Sequence, residues 1–224
     1  MLDNTSVVVW EGVDGSGKTT LMKETASKLI KLGYSVETYK TPSETATGVF
    51  AKEYGNRPST DPFTRMLLFL ANTADDSSVL KKIAAEKRPE YLFIDRYYVC
   101  SLVYGFALVS KHFGKPVDEQ RFLQFFRLVE ELGSGVFVKP DLIVLVEVDR
   151  ETRRRRAFQK EAGSDHVFEK DDELQELVQR YYKVLEGELD GSVITVLNAD
   201  SMLEAVATEL AKKLTMMKRG WSDG

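Results

Sequence analysis

Gly12-Val13-Asp14-Gly15-Ser16-Gly17-Lys18-Thr19 matches the phosphate-binding pattern G-x-x-x-x-G-K-[ST] in full. It follows Val7-Val8-Val9-Trp10, an apolar run that reads as a buried strand. It opens the stretch Lys18 to Leu32, which reads as a helix stopped by Gly33. Glycines let the backbone curl so that successive N–H groups face phosphate oxygens. The helix start adds the positive end of its dipole. Lys18 then reaches the β- and γ-phosphates, and the Thr19 hydroxyl is placed to ligate Mg²⁺. The loop from Gly12 through Thr19, with Thr20 after it, is the expected ATP site.

A second pair, Asp95-Arg96, ends the apolar run Tyr91-Leu92-Phe93-Ile94. An Asp past a buried strand beside such a loop can hold Mg²⁺. Arg96 adds a rigid cationic fork suited to bidentate phosphate contact. The bland alternative is a strand-end surface pair of small energetic weight.

These residues need a scaffold that brings several strand ends together. Strands are expected at Val7–Trp10, Val36–Tyr39, Tyr91–Ile94, Leu142–Val146 and Val193–Leu197. Helices are expected at 18–32, at 61–86 with a break or bend, and at 97–112, 118–132, 150–161, 172–189 and 201–217. Strand–helix alternation with strands apolar throughout implies a parallel sheet covered by helices. The expected fold is α/β: a P-loop NTPase-type parallel sheet of about five strands in a single domain, 1–224. Ligands in such sheets sit at the carboxyl ends of strands.

Bulk properties narrow the partners. The net charge of −4 argues against bulk electrostatic binding of a nucleic-acid polymer. No apolar stretch approaches the roughly 20 residues of a membrane span. Met1 to Ser6 carries no basic run before an apolar stretch, so no signal peptide is expected. The one cysteine, Cys100, cannot form an intramolecular disulfide, and a cytoplasmic location is the expectation. Cys100 reads as a small buried hydrophobe rather than a nucleophile. His112 and His166 are too far apart for a metal site, and His166 reads as a surface residue.

The ordered motifs resemble the thymidylate kinase family. Trp10-Glu11-Gly12 through Thr20 is similar to its opening. Lys40-Thr41-Pro42 sits where it has R-x-P, Leu67 to Asn72 is similar to its L-L-F-x-A-x run, and Asp95-Arg96-Tyr97 with Tyr104 resembles its D-R-Y segment. The resemblance implies phosphoryl transfer from ATP to a deoxynucleoside monophosphate, most simply dTMP, in a homodimer. It implies that Asp14 contacts the sugar 3′-hydroxyl and that Phe69 stacks on the base. Arg96 with Lys40, beside Pro42, would hold the 5′-phosphate, and Tyr104 would exclude a ribose 2′-hydroxyl. It also implies a mobile lid near 150–170. Arg153-Arg154-Arg155-Arg156 spans more than one helical turn, so at most two of these can face phosphate. Arg153 and Arg156 are the expected pair, with Lys160 beyond them, and Arg156 best matches the family's lid arginine.

Three positions depart from the family pattern. Thr73 stands where an arginine reads the thymine carbonyl, Gly105 where a polar residue follows the tyrosine, and Cys100 where a serine is usual. Arg65, one turn before Phe69, and Asn72 are the residues that could reach the base instead. Two rival readings accompany this one. A deoxynucleoside kinase would need a carboxylate base after the second strand, where Lys40 stands and Glu44 is displaced. A P-loop protein that binds nucleotide without turnover would keep the loop alone.

Overall fold

Five strands build the sheet: β1 Ser6–Glu11, β2 Val36–Lys40, β3 Tyr91–Asp95, β4 Leu142–Glu147 and β5 Val193–Leu197. The computed structural model describes residues 4–115, 117–159, 168, 170–189 and 191–222, with 219–222 in backbone alone. All strands run parallel in the order β2-β3-β1-β4-β5. The helices are α1 Lys18–Lys31, α2 Ala46–Gly55, α3 Pro62–Lys87, α4 Tyr98–His112, α5 Glu119–Leu132, α6 Arg150–Gln159, α7 Asp172–Glu188 and α8 Leu203–Ser222.

Strand alternation divides the core into two layers. Val7 and Val9 of β1 join Leu92, Ile94, Ile143 and Leu145 on one face, packed by α3, α4, α5 and α7. Val8 and Trp10 join Tyr91, Phe93, Val144 and Val146 on the other, packed by α1 and α8. Burial on both faces is why β1, β3 and β4 read as unbroken apolar runs. β1 lies between β3 and β4, so its carboxyl end opens at the point where the chain's connections part to either side. The phosphate loop leaves from there.

The edges differ from expectation. β2 and β5 are only half-buried, because each has one neighbour strand and Glu37 or Thr195 meets water or polar groups. α2 falls between the expected second strand and the helix expected at 61–86, where no element is expected. It is short, holds Gly48 and starts on Thr45, whose hydroxyl accepts from Gly48 N at 3.3 Å. α3 runs unbroken for 26 residues, with Asp61 capping it through Thr64 N at 2.9 Å. The apolar face of α5 is core: Phe122 and Phe126 are fully enclosed. α8 continues through Ser222, past the 201–217 expected for the last helix. Lys160, His166 and the expected lid from 160 to 167 lie outside the described residues.

Candidate active site

The loop between β1 and α1 turns tightly because three of its glycines take positive φ. Gly12 stands at +141°, and a Cβ there would meet Val146 O at 2.4 Å. Gly17 stands at +79°, where a Cβ would strike Asn198 Nδ2 at 2.4 Å. The Ser16 carbonyl is tied away from the loop interior by Asn198 Nδ2 at 2.8 Å and by Arg156 Nη1 at 3.0 Å. That leaves the start of α1 to present its amide N–H groups. The Val13 side chain is core, so this residue can serve ATP through backbone alone.

Lys18 is 6% exposed. Burial, with the neighbouring Arg96 charge, lowers its pKa to about 8, against the pull of Asp14 and Asp95. Next to it, Thr19 Oγ1 donates to Asp95 Oδ2 at 2.5 Å. Asp95 Oδ1 is buried without a hydrogen-bond partner. A hydroxyl and a carboxylate with a spare buried oxygen form a hard-oxygen donor set that suits Mg²⁺. Among the described residues no larger carboxylate or histidine cluster competes for a metal.

Arg96 follows Asp95 in the left-handed region, at φ +67°. Its N–H donates to Trp10 O at 3.0 Å, and Thr41 Oγ1 donates to its carbonyl at 3.1 Å. The guanidinium pairs with Asp14, donates to Cys100 Sγ at 2.9 Å, and lies 5.2 Å from the Tyr104 ring centre. This fork faces a cavity whose walls include Lys18, Lys40, Pro42, Arg96 and Tyr104 toward the phosphate loop. Away from the loop the same cavity is lined by Phe69, Phe168 and Arg65. The Arg65 guanidinium lies 4.5 Å from the Phe69 ring centre and 4.6 Å from that of Phe168. Thr73 also lines the cavity, but its hydroxyl donates to Leu70 O at 2.9 Å. Gly105 is backed by Met66, whose Cγ a Cβ would meet at 2.3 Å. Burial pushes the Cys100 thiol up despite Arg96 and Lys18, so it is a neutral wall of the cavity.

Three supporting residues are given no role by the motifs. Glu11, wholly buried at the end of β1, accepts from Tyr97 N at 3.0 Å, Cys100 N at 3.3 Å and Tyr182 OH at 2.8 Å. Burial raises its pKa to about 7, against those hydrogen bonds and the charges of Arg96 and Lys18. Gln175 of α7 accepts from Asp14 N at 3.0 Å and from Tyr104 OH at 3.3 Å, and donates to Phe168 O at 2.9 Å. Only Glu11 left a trace in sequence, a carboxylate ending an apolar strand. Gln175 and Tyr182 look like ordinary positions of an amphipathic helix.

A second cleft lies across the loop, walled by Gly15, Gly17, Thr20, Arg156, Asn198 and Asp200. The structure divides the expected arginine pair. Arg156 lines this cleft and donates to Asp200 Oδ1 at 2.6 Å and Asn198 O at 3.1 Å. Arg153 is 5% exposed, pairs with Asp172 at the start of α7, and backs Gly15. Its cation serves the packing of α6 against the loop and α7. Arg154 also turns to Asp172, and Arg155 to Asp200.

Lys18 and Thr19 line both clefts. A parallel sheet with a phosphate loop at its central strand, and a cation-rich cavity on each side of one lysine, defines a P-loop phosphotransferase of small nucleotides. The thymidylate kinase family model matches residues 10–210. A probable thymidylate kinase of Methanocaldococcus jannaschii is 30% identical over 188 residues, covering 83% of this chain and 84% of the relative. One of Archaeoglobus fulgidus is 29% identical over 207 residues, covering 92% and 93%. The solved thymidylate kinase of Candida albicans superposes with a TM-score of 0.71 at 22% identity, over 96% of this chain and 92% of that one. That of Ehrlichia chaffeensis gives 0.66 at 17%, over 94% and 98%. The chain belongs to the thymidylate kinase family and is an ATP:dTMP phosphotransferase.

Proposed function

We propose that ATP fills the cleft beside Arg156 and Asn198, that dTMP fills the cavity of Arg96 and Phe69, and that the γ-phosphoryl crosses at Lys18. The observation that carries this reading is the sharing of Lys18 and Thr19 by both clefts. A transferring group must lie within reach of both partners at once.

The roles follow from the chemistry of each side chain. Lys18 and the α1 amides hold the β- and γ-phosphates. Thr19 and Asp95 hold Mg²⁺, which supplies charge neutralisation on the phosphate oxygens. Arg96 and Lys40, at the Pro42 turn, hold the dTMP 5′-phosphate. The sulfur of Cys100 is a weak acceptor, so a phosphate oxygen readily replaces it on the Arg96 fork. Asp14 keeps Arg96 oriented and presents its other oxygen to the sugar 3′-hydroxyl. Tyr104 closes the space of a 2′-hydroxyl. No general base is required, because the attacking phosphate oxygen is already anionic. Arg156 is the α6 cation at the donor phosphates; Arg153 supports the loop from behind.

The base stacks at the Phe69 end. Thr73 is committed to the α3 backbone, and Met66 fills the space beside Gly105. Arg65 is the cation at this end, and it donates to a thymine carbonyl. The single cysteine suits a cytoplasmic location, and the resemblance also implies a homodimer. Exposed Phe50 on α2, with Phe63 and Leu67 on α3, is apolar surface suited to that contact.

A coupled ADP-release assay with ATP and Mg²⁺ against dTMP, dUMP, dCMP, dGMP, UMP and thymidine tests the reading. Turnover highest on dTMP is expected. Faster turnover of thymidine, or none on any monophosphate, would sink it.

A further inference from the structure

Glu11 has no part in the transfer as drawn, yet its carboxyl is wholly enclosed at the heart of the site. A carboxylate is costly to bury, so its partners matter. Oε1 takes the N–H groups of Tyr97 at 3.0 Å and Cys100 at 3.3 Å; Oε2 takes the Tyr182 hydroxyl at 2.8 Å. The two N–H groups belong to the start of α4, which has no side-chain cap of its own. Glu11 supplies from β1 the acceptor that a Ser or Asp at the helix start would usually supply.

The residue before Tyr97 is Arg96, in its left-handed conformation. On its other side, Arg96 N donates to Trp10 O at 3.0 Å, one residue before Glu11. The turn carrying Asp95 and Arg96 is therefore fastened at both flanks to the last two residues of β1. We infer that Glu11 is a positioning residue: by capping α4 it aims the Arg96 fork at the acceptor phosphate, and through Tyr182 it ties that aim to α7. This rests on the proposed role of Arg96 toward dTMP.

Steady-state kinetics of Glu11→Ala, Glu11→Gln, Glu11→Asp and Tyr182→Phe test it, with each substrate varied at saturating partner. Loss of the acceptor for two buried N–H groups should raise the KM for dTMP about 30-fold in Glu11→Ala, while the KM for ATP stays within about threefold. Glu11→Gln keeps a carbonyl oxygen in place and should stay within about fivefold of wild type for dTMP. Tyr182→Phe should raise the KM for dTMP by about three- to tenfold. A role in stability alone would lower the melting temperature without separating the two substrates. Should Glu11→Ala fail to fold, Glu11→Asp decides, because it keeps the charge but withdraws the acceptor by one methylene. An unchanged dTMP KM in whichever of Glu11→Ala and Glu11→Asp folds, or equal rises for both substrates, overturns the proposal. Wild-type enzyme that turns over no dTMP overturns the reading beneath it, a result distinct from either.

Discussion

Thr73 and Arg65 both line the end of the cavity proposed for the base, with unequal means to read it. Thr73 lines the cavity, but its hydroxyl is spent on Leu70 O one turn back, so it offers the base little beyond packing. Arg65 brings a planar donor set to the same end and rests between the faces of Phe69 and Phe168. Thymine carries an oxygen at C4 where cytosine carries an amino group, and an arginine can donate only to the oxygen. A hydrogen bond from a charged donor contributes about 1.5–3 kcal/mol, roughly 10- to 150-fold in selectivity. Arg65→Ala should therefore shrink the ratio of kcat/KM for dTMP over dCMP by about that factor, chiefly through loss on dTMP. Measuring both substrates on both enzymes checks it. Equal losses on dTMP and dCMP would assign Arg65 to packing, and an unchanged ratio would assign base reading elsewhere.

Among elements, the join of β1 to α4 has a consequence for stability. Glu11 holds its proton more tightly in the fold, near 7, than its ordinary 4.5. A raised carboxyl stabilises the fold below the unfolded value, and that contribution is lost as pH rises through the folded one. Between pH 5.5 and 7.5 wild type should lose on the order of 2 kcal/mol relative to Glu11→Gln, roughly 4–8 °C in Tm. Parallel melting curves of the two proteins across that range would remove Glu11 as the titrating group. The same join marks the limit of what was legible in sequence. β1, β3 and β4 were readable because both faces are buried, and Lys18, Thr19, Asp95 and Arg96 because each sits in a short local pattern beside a strand. α2 was not, since ten residues holding Gly48 give too little periodicity to outweigh turn signals. Glu11's partners lie 86, 89 and 171 residues away, and no local pattern encodes such a meeting. Arg153 and Arg156 carry the same charge in the same helix; only the positions of Asp172 and Asp200 separate a buried brace from a cleft-lining cation.

For the whole molecule, the distribution of apolar surface bears on assembly. Most large apolar side chains are enclosed by the two core layers, yet Phe50 is 54% exposed, Phe63 53% and Leu67 44%. Phe63 and Leu67 are four residues apart on α3 and so share a face. Phe50 stacks on Tyr54 along α2, with ring centres 5.5 Å apart, and α2 packs on α3. Exposed aromatic surface of this kind is what a self-complementary contact between two copies buries, at about 800 Å² from each partner in a stable case. Light scattering should give twice the chain mass, and Leu67→Lys should halve it by placing like charges across the two-fold axis. Leu67 faces away from the core that holds Met66, so the variant should keep its fold and its kcat at the phosphate loop, and its Tm should fall only by what the dimer contact contributes. A dimer that survives Leu67→Lys would move the contact to another face, and a wild-type monomer would leave these aromatics as plain surface.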